Sequence, residues 1–443
     1  MMNILKKAVQ LKNHSGFRKY FANTSWLMAE RILRMTVALF VGVYVARYLG
    51  PERFGLLSYT NSFVGLFLAL ATLGIESIVI RELVKSPESR NELLGSAFGL
   101  KILGTLLMWF IILFSVPLTG NDTQTNIFIA IISLAIFFQA FNVIDFNYQA
   151  EVKSKYVVQI QFIQLILTSF TKLFFIFLKA PLLWFVWVYC FDAFLLAIGL
   201  VVMYMIKSGN IFLWRWKWEV ALDILRDSWP LLLSGMLISI YVKIDQVMIK
   251  EILGQRQVGI YAVATSLSIA TYFIPLVITG SLFPAILNAK NNDKDLYHKR
   301  LQKLFDILIW IAIIISAFVY FISEYIINFL FGIEYIQSAS VLKIAIFTGI
   351  FVNIGLVNNK YFEAENRQRD ILYRSILGVT TNIILNLFLI KKYGANGAAF
   401  TTIIASCSAS VMYTFFKKDA RILFYMAISS LDIRKYWNIY LAK

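Results

Sequence analysis

The chain has 443 residues, 59% of them hydrophobic, a mean hydropathy of +0.71 and only 15% charged side chains, which excludes a water-soluble globular domain. A formal net charge of +17 invites a nucleic-acid reading, but the basic residues are spread over alternate loops and not gathered into one basic domain, so no nucleic-acid partner is expected. Cys190 and Cys407 both fall in apolar stretches and His14 and His298 lie far apart, which leaves no disulfide framework, no thiolate metal centre and no histidine site.

Hydropathy predicts an all-α integral membrane protein with about twelve transmembrane helices, over residues 22–47, 54–80, 92–116, 125–149, 157–178, 182–206, 229–250, 257–285, 306–323, 338–358, 371–390 and 395–416. Nearly all reach the roughly 20 residues that a helix needs to cross about 30 Å of hydrocarbon. The leading segment, residues 1–21, is basic (Lys6, Lys7, Lys12, Arg18, Lys19) and has no apolar run before a small-residue cleavage site, so no signal peptide is expected to be removed. With this end inside, 29 of the 42 basic residues fall on the cytoplasmic side and 7 on the far side, which places both termini in the cytoplasm. The cytoplasmic loops then rest against anionic lipid headgroups.

Segment one carries Glu30, Arg31 and Arg34. At about 1.5 Å per residue they sit roughly 14 to 18 Å from its start, near the bilayer centre. A charge there costs about 2.5 to 3.5 kcal/mol, so each must snorkel, pair with an acid or line a wet cavity. Glu30 lies four residues before Arg34 and can pair with it, a structural reading that lets the segment insert. Arg31 shares Arg34's face and has no such local partner, which favours a cavity. The segment ends in Leu49-Gly50-Pro51-Glu52-Arg53-Phe54-Gly55-Leu56, whose glycines permit a tight turn.

Further along, Glu76 lies in segment two, Lys101 deep in segment three, Asp145 in four, Lys172 in five and Asp192 near the middle of six. Asn121-Asp122-Thr123 matches a glycosylation pattern that arises often by chance. Residues 22–206 are expected to form an N-lobe of six helices and residues 207–228 a cytoplasmic linker. Segment seven holds Pro230, Lys243 and Asp245, the last two spaced so that they point to different faces. It ends in Leu253-Gly254-Gln255-Arg256-Gln257-Val258-Gly259-Ile260, the earlier turn repeated at an offset of 204 residues. Any hairpin between helices can use such a word, but its position marks the first helix of each six-helix half. Two parallel halves related about the membrane normal, residues 22–206 and a C-lobe at 229–416, are the plan of a transporter with a central cavity. Pro275 and Pro284 in segment eight offer places to bend. Lys343 in segment ten lies near the outer surface, and the longest far-side loop is expected at Ser323 to Gln337. Residues 417–443 read as a cytoplasmic amphipathic tail mixing Arg434 and Lys435 with Tyr436, Trp437 and Tyr440.

No G-x-x-x-x-G-K-[ST] phosphate loop occurs, so transport draws on a gradient, a partner or a downhill substrate. The midplane groups lean basic and favour an anion. Arginine's planar fork matches phosphate oxygens, and an opposite-charge pair at 4 Å is worth about 4 kcal/mol at an effective dielectric of 20.

Three words resemble the Wzx-type O-antigen or polysaccharide flippases, in the superfamily that also holds lipid II flippases and multidrug and toxin extruders. They are Ala46-Arg47-Tyr48-Leu49-Gly50-Pro51-Glu52-Arg53-Phe54-Gly55; Ile240-Tyr241-Val242-Lys243-Ile244-Asp245-Gln246-Val247-Met248-Ile249 with the following Leu253-Gly254 and Val258-Gly259-Ile260-Tyr261; and Tyr393-Gly394-Ala395-Asn396-Gly397-Ala398-Ala399. The resemblance covers nearly the whole chain. It implies two lobes around a cavity and a lipid-linked oligosaccharide, of the undecaprenyl-diphosphate type, moved from the cytoplasmic to the periplasmic leaflet of the bacterial inner membrane by alternating access. It implies membrane lipids and the polysaccharide polymerase and chain-length machinery as partners, and no cofactor. On this reading Arg31, Arg34, Lys101 and Lys243 bind the diphosphate or anionic sugars, and Glu30, Glu76, Asp192 and Asp245 are candidates for coupling to an ion. The alternative is a cation or drug antiporter of the same fold, which should present a carboxylate-rich cavity. A membrane enzyme such as a polymerase should carry a large external or acid-rich loop, and none is seen.

Overall fold

The computed structural model describes residues 15–432, so the first fourteen residues of the basic segment, and residues 433–443 of the expected tail, lie outside the described residues. Helix is the state in which an apolar segment satisfies its own backbone without water, and among the described residues there is no strand. In chain order the helices begin with α1 (Ser15–Leu66), α2 (Leu68–Thr72), α3 (Glu76–Lys85), α4 (Arg90–Ser115), α5 (Thr123–Phe138), α6 (Val143–Ala150), α7 (Lys155–Phe177) and α8 (Leu182–Lys207). They continue with α9 (Trp218–Leu253), α10 (Gln255–Ala270), α11 (Phe273–Asn292), α12 (Lys294–Phe331), α13 (Ser338–Ala345), α14 (Thr348–Ala364), α15 (Gln368–Cys407), α16 (Tyr413–Phe416) and α17 (Arg421–Ser429).

Ten stretches among the described residues are long and apolar enough to cross a bilayer. Two of these runs are broken at a glycine, α1 at Gly50 (φ 72°) and α15 at Gly394 (φ 62°). The segments expected at 22–47 and 54–80 therefore begin on one continuous run, as do those at 371–390 and 395–416. Local chemistry sets other ends. Asp122 accepts from the Thr125 amide at 3.2 Å to start α5, which gives the Asn121-Asp122-Thr123 stretch a capping role. The far-side loop expected from Ser323 to Gln337 is shorter than that, because the apolar run through Tyr325 to Phe331 keeps α12 helical until Gly332 ends it.

The chain divides into two compact units, one of Met1–Tyr48 with Phe63–Ser239, the other of Leu49–Ser62 with Ile240–Lys443. Each has its own dry core. In the first, Val79, Leu94, Val143, Tyr148 and Tyr204 pack close to the loops that carry Arg90, Lys153 and Lys217. In the second, Phe305, Leu308, Val357, Phe362 and Leu423 pack close to the loops that carry Lys290, Arg367 and Lys417. These two clusters lie towards the basic ends of the helices, and fully buried side chains such as Phe128 and Phe185 in the first unit and Ile327 and Tyr335 in the second lie towards the other ends.

Within the second unit, the sequence repeat becomes a reciprocal contact. Gly50 and Gly254 adopt nearly the same backbone (φ 72°, ψ 170° and φ 86°, ψ 172°), one that L side chains avoid. A Cβ on Gly55 would lie 1.8 Å from the Gln255 carbonyl oxygen, and one on Gly259 would lie 2.0 Å from that of Pro51. Pro51 and Gln255, like Gly55 and Gly259, are repeat equivalents, so each copy of the turn uses its second glycine to admit the backbone of the other.

Candidate substrate and ion-coupling sites

The charges of the first unit are mostly paired with one another. Arg34 donates to Glu30 across one helical turn, as the spacing predicts. The side chain of Arg31 lies outside the described residues. Lys101, 5% exposed, donates to the Gln139 carbonyl at 2.8 Å and stands 5.4 Å from the centre of the Phe146 ring. Beside it, Gln149 bridges two acids, donating to Asp145 at 3.1 Å and to Glu76 at 3.4 Å. The two carboxylates, brought together from α3 and α6, lie within electrostatic reach of Lys101. Lys172 is likewise placed within electrostatic reach of Asp192, whose backbone carbonyl accepts from Gln164.

The second unit holds its deep charges differently. Asp245, 4% exposed on α9, accepts from Asn386 at 2.6 Å on one oxygen and from Tyr261 at 2.6 Å and Thr402 at 2.8 Å on the other. No basic residue is among these partners. Asn386 also reaches Asn382 at 3.1 Å, and the Asn382 amide nitrogen and the Asn386 amide oxygen have no hydrogen-bond partner among the described residues. A buried carboxylate held by two hydroxyls and an amide nitrogen, with the unpartnered Asn386 amide oxygen on the same side chain, is chemistry suited to a proton or a small monovalent cation. Lys243, two residues away and half-buried, has no bonded partner among the described residues. Lys343 in α13 pairs with Glu324 at 2.5 Å.

Sequence reasoning did not single out Arg374, although it falls inside the segment expected at 371–390. Arg374 is 8% exposed inside α15 and donates to the Gly355 carbonyl at 2.9 Å and to Asn359 at 3.0 Å. Gly355 leaves room for this arrangement, since a Cβ there would lie 2.6 Å from the guanidinium and displace it. It also missed Asn386, Tyr261 and Thr402 as partners of Asp245, and Asn382 as the partner of Asn386. A signal was present: Arg374, Gly378, Asn382 and Asn386 recur every four residues, which lines one face of a helix.

With this geometry in place, comparisons with known proteins identify the frame. A family model described as polysaccharide biosynthesis protein matches residues 20–290, and one described as MatE matches residues 230–388. The chain is 23% identical over 404 residues to the capsular polysaccharide biosynthesis protein CapF of Staphylococcus aureus, covering 89% of this chain and 98% of that one. It is 25% identical over 194 residues to an uncharacterized membrane protein of Methanocaldococcus jannaschii, and that match spans 44% of this chain and 45% of the relative. Among solved structures, an inward-facing multidrug resistance MATE family transporter of the MOP superfamily superposes with a TM-score of 0.71 at 14% identity, covering 91% and 96% of the two chains. The lipid II flippase MurJ in an inward closed conformation gives 0.69 at 18% identity, covering 94% and 93%.

Proposed function

We propose, from the premise that this chain belongs to the polysaccharide biosynthesis protein family and is a multi-pass membrane transporter of the MOP superfamily, that it moves a lipid-linked oligosaccharide between leaflets by alternating access, coupled to an ion. The observation that carries the reading is likeness along almost the entire chain to a capsular polysaccharide biosynthesis protein, on a fold shared with a lipid II flippase. An undecaprenyl-diphosphate anchor is the chemistry that the basic groups suit. Arg34 is held by Glu30, and a diphosphate competes with that carboxylate for the guanidinium fork. On this reading Arg31, Lys101 and Lys243 supply further positive charge for the diphosphate or anionic sugars.

Ion coupling is assigned to Asp245, with Glu30, Glu76 and Asp192 as further candidates. Asp245 takes its hydrogen bonds from neutral groups alone, which leaves its charge for a bound ion to balance. The bacterial inner membrane, with both termini in the cytoplasm, is the location that fits the basic-loop bias.

The test is reconstitution of the full chain in vesicles with a fluorescent undecaprenyl-diphosphate-linked oligosaccharide. Wild-type protein moves the lipid between leaflets, faster under a proton or sodium gradient, and Arg34→Ala together with Lys243→Ala abolishes that movement. Movement by the double variant at the wild-type rate would remove the phosphate-binding role, and indifference to both gradients would remove the coupling.

A further inference from the structure

At one end of the second unit, α9, α10, α13 and the break in α15 enclose a cavity of about 440 Å³. Such a size is within the roughly 300 to 1,000 Å³ of small-ligand pockets. Its polar lining is Gln257, Gln337, Ser340, Tyr393 and Asn396, with Leu253, Ile260 and Val341 as apolar floor. No lysine, arginine, aspartate or glutamate lines it. The loops at this end carry four basic residues, Lys250, Arg256, Lys391 and Lys392, fewer than the unit's opposite loops, which include Lys290, Arg300, Arg367 and Lys417 and belong to the cytoplasmic side of the loop assignment. The cavity therefore opens on the far side of the membrane.

We infer that this cavity is a binding site for a neutral pyranose of the transported glycan on the exit side. Three carboxamides each offer a donor and an acceptor on one group, which matches vicinal hydroxyls and acetamido substituents, where a phosphate or carboxylate would call for cations. Ser340 and Asn396, 3.1 Å apart, tie the α13 wall to the α15 break. Tyr393 is 55% exposed and presents a flat ring for the C–H face of a sugar, with Lys392 standing 5.2 Å from its centre. The positive φ of Gly394 turns the chain between Tyr393 and Asn396, so that both residues, though close in sequence, belong to one wall. The inference rests on the transport reading above and adds to it a place where the glycan docks after crossing.

The experiment is saturation-transfer difference NMR on the full chain in phospholipid nanodiscs, with glucose, galactose, N-acetylglucosamine and N-acetylgalactosamine as probes. At least one of these sugars gives a transfer signal, which falls about threefold or more in Tyr393→Ala and in Asn396→Ala but persists in Tyr393→Phe. Tyr393 is exposed and Asn396 half-buried, and melting temperatures equal to wild type confirm that the variants are folded. No signal from any probe, or the same signal in wild type and both alanine variants, overturns the site. The transport reading is judged separately by wild-type movement of lipid-linked oligosaccharide in vesicles, which can fail while sugar binding holds, or hold while sugar binding fails.

Discussion

The two units spend their deep charges in different ways. In the first, Lys101 lies beside an acid pair bridged by Gln149, and Arg34 is held by Glu30, so charge is matched by charge within the unit. In the second, Asp245 is held by a phenol, a hydroxyl and a carboxamide, and Arg374 by a carbonyl and a carboxamide. An internally matched cluster makes a helix insertable and needs nothing from outside. A lone buried charge on neutral partners retains most of its electrostatic cost, and a mobile ion or a charged substrate relieves it.

The sharpest way to break this contrast is to remove the lone acid. Asp245→Asn keeps the shape and the partners but loses the charge, and transport in vesicles should drop at least tenfold, about 1.4 kcal/mol or more in barrier terms, and lose its response to an ion gradient. Glu76→Gln, in the matched cluster, should leave the gradient response in place. Equal loss of that response in both variants would erase the distinction.

Next in size is the crossing of the two turns. Gly55→Ala drives a methyl into the Gln255 carbonyl, and overpacking against backbone costs about 1 to 3 kcal/mol or more, read as a lower melting temperature of the purified protein. Gly42→Ala, where a Cβ meets nothing within 4 Å, is the control and should melt as wild type does.

A finer comparison uses two lysines. Lys101→Met leaves the Gln139 carbonyl without its donor and should lower stability by about 1 to 3 kcal/mol, whereas Lys243→Met breaks no bond and should reduce transport with little change in melting. The smallest effect belongs to the exposed cluster outside the membrane spans. There Lys85 first, then Arg81, hold the Glu82 carboxyl below its usual range. Its contribution is present above the ordinary value of 4.5 and fades as pH falls through the lowered one. Glu82→Gln should cost about 0.5 kcal/mol at neutral pH and nothing once the carboxyl is protonated, as read by thermal unfolding across pH.

What was legible in the residues is the part governed by neighbours in the chain. Apolar runs long enough to cross hydrocarbon, the Glu30–Arg34 spacing of one turn and the paired turn words around Gly50 and Gly254 all express local rules, and all reappear in the structure. The sequence by itself determined the membrane class, the helical state and the repeat, because lipid leaves the backbone few alternatives.

Only the tertiary structure decided which charge stands alone. The partners of Asp245 come from 16, 141 and 157 residues away, and Arg374 meets Gly355 only because α14 and α15 pack together. Helical periodicity assigns a residue to a face but says nothing of what the facing helix presents, so the pairing of a buried charge is a property of packing.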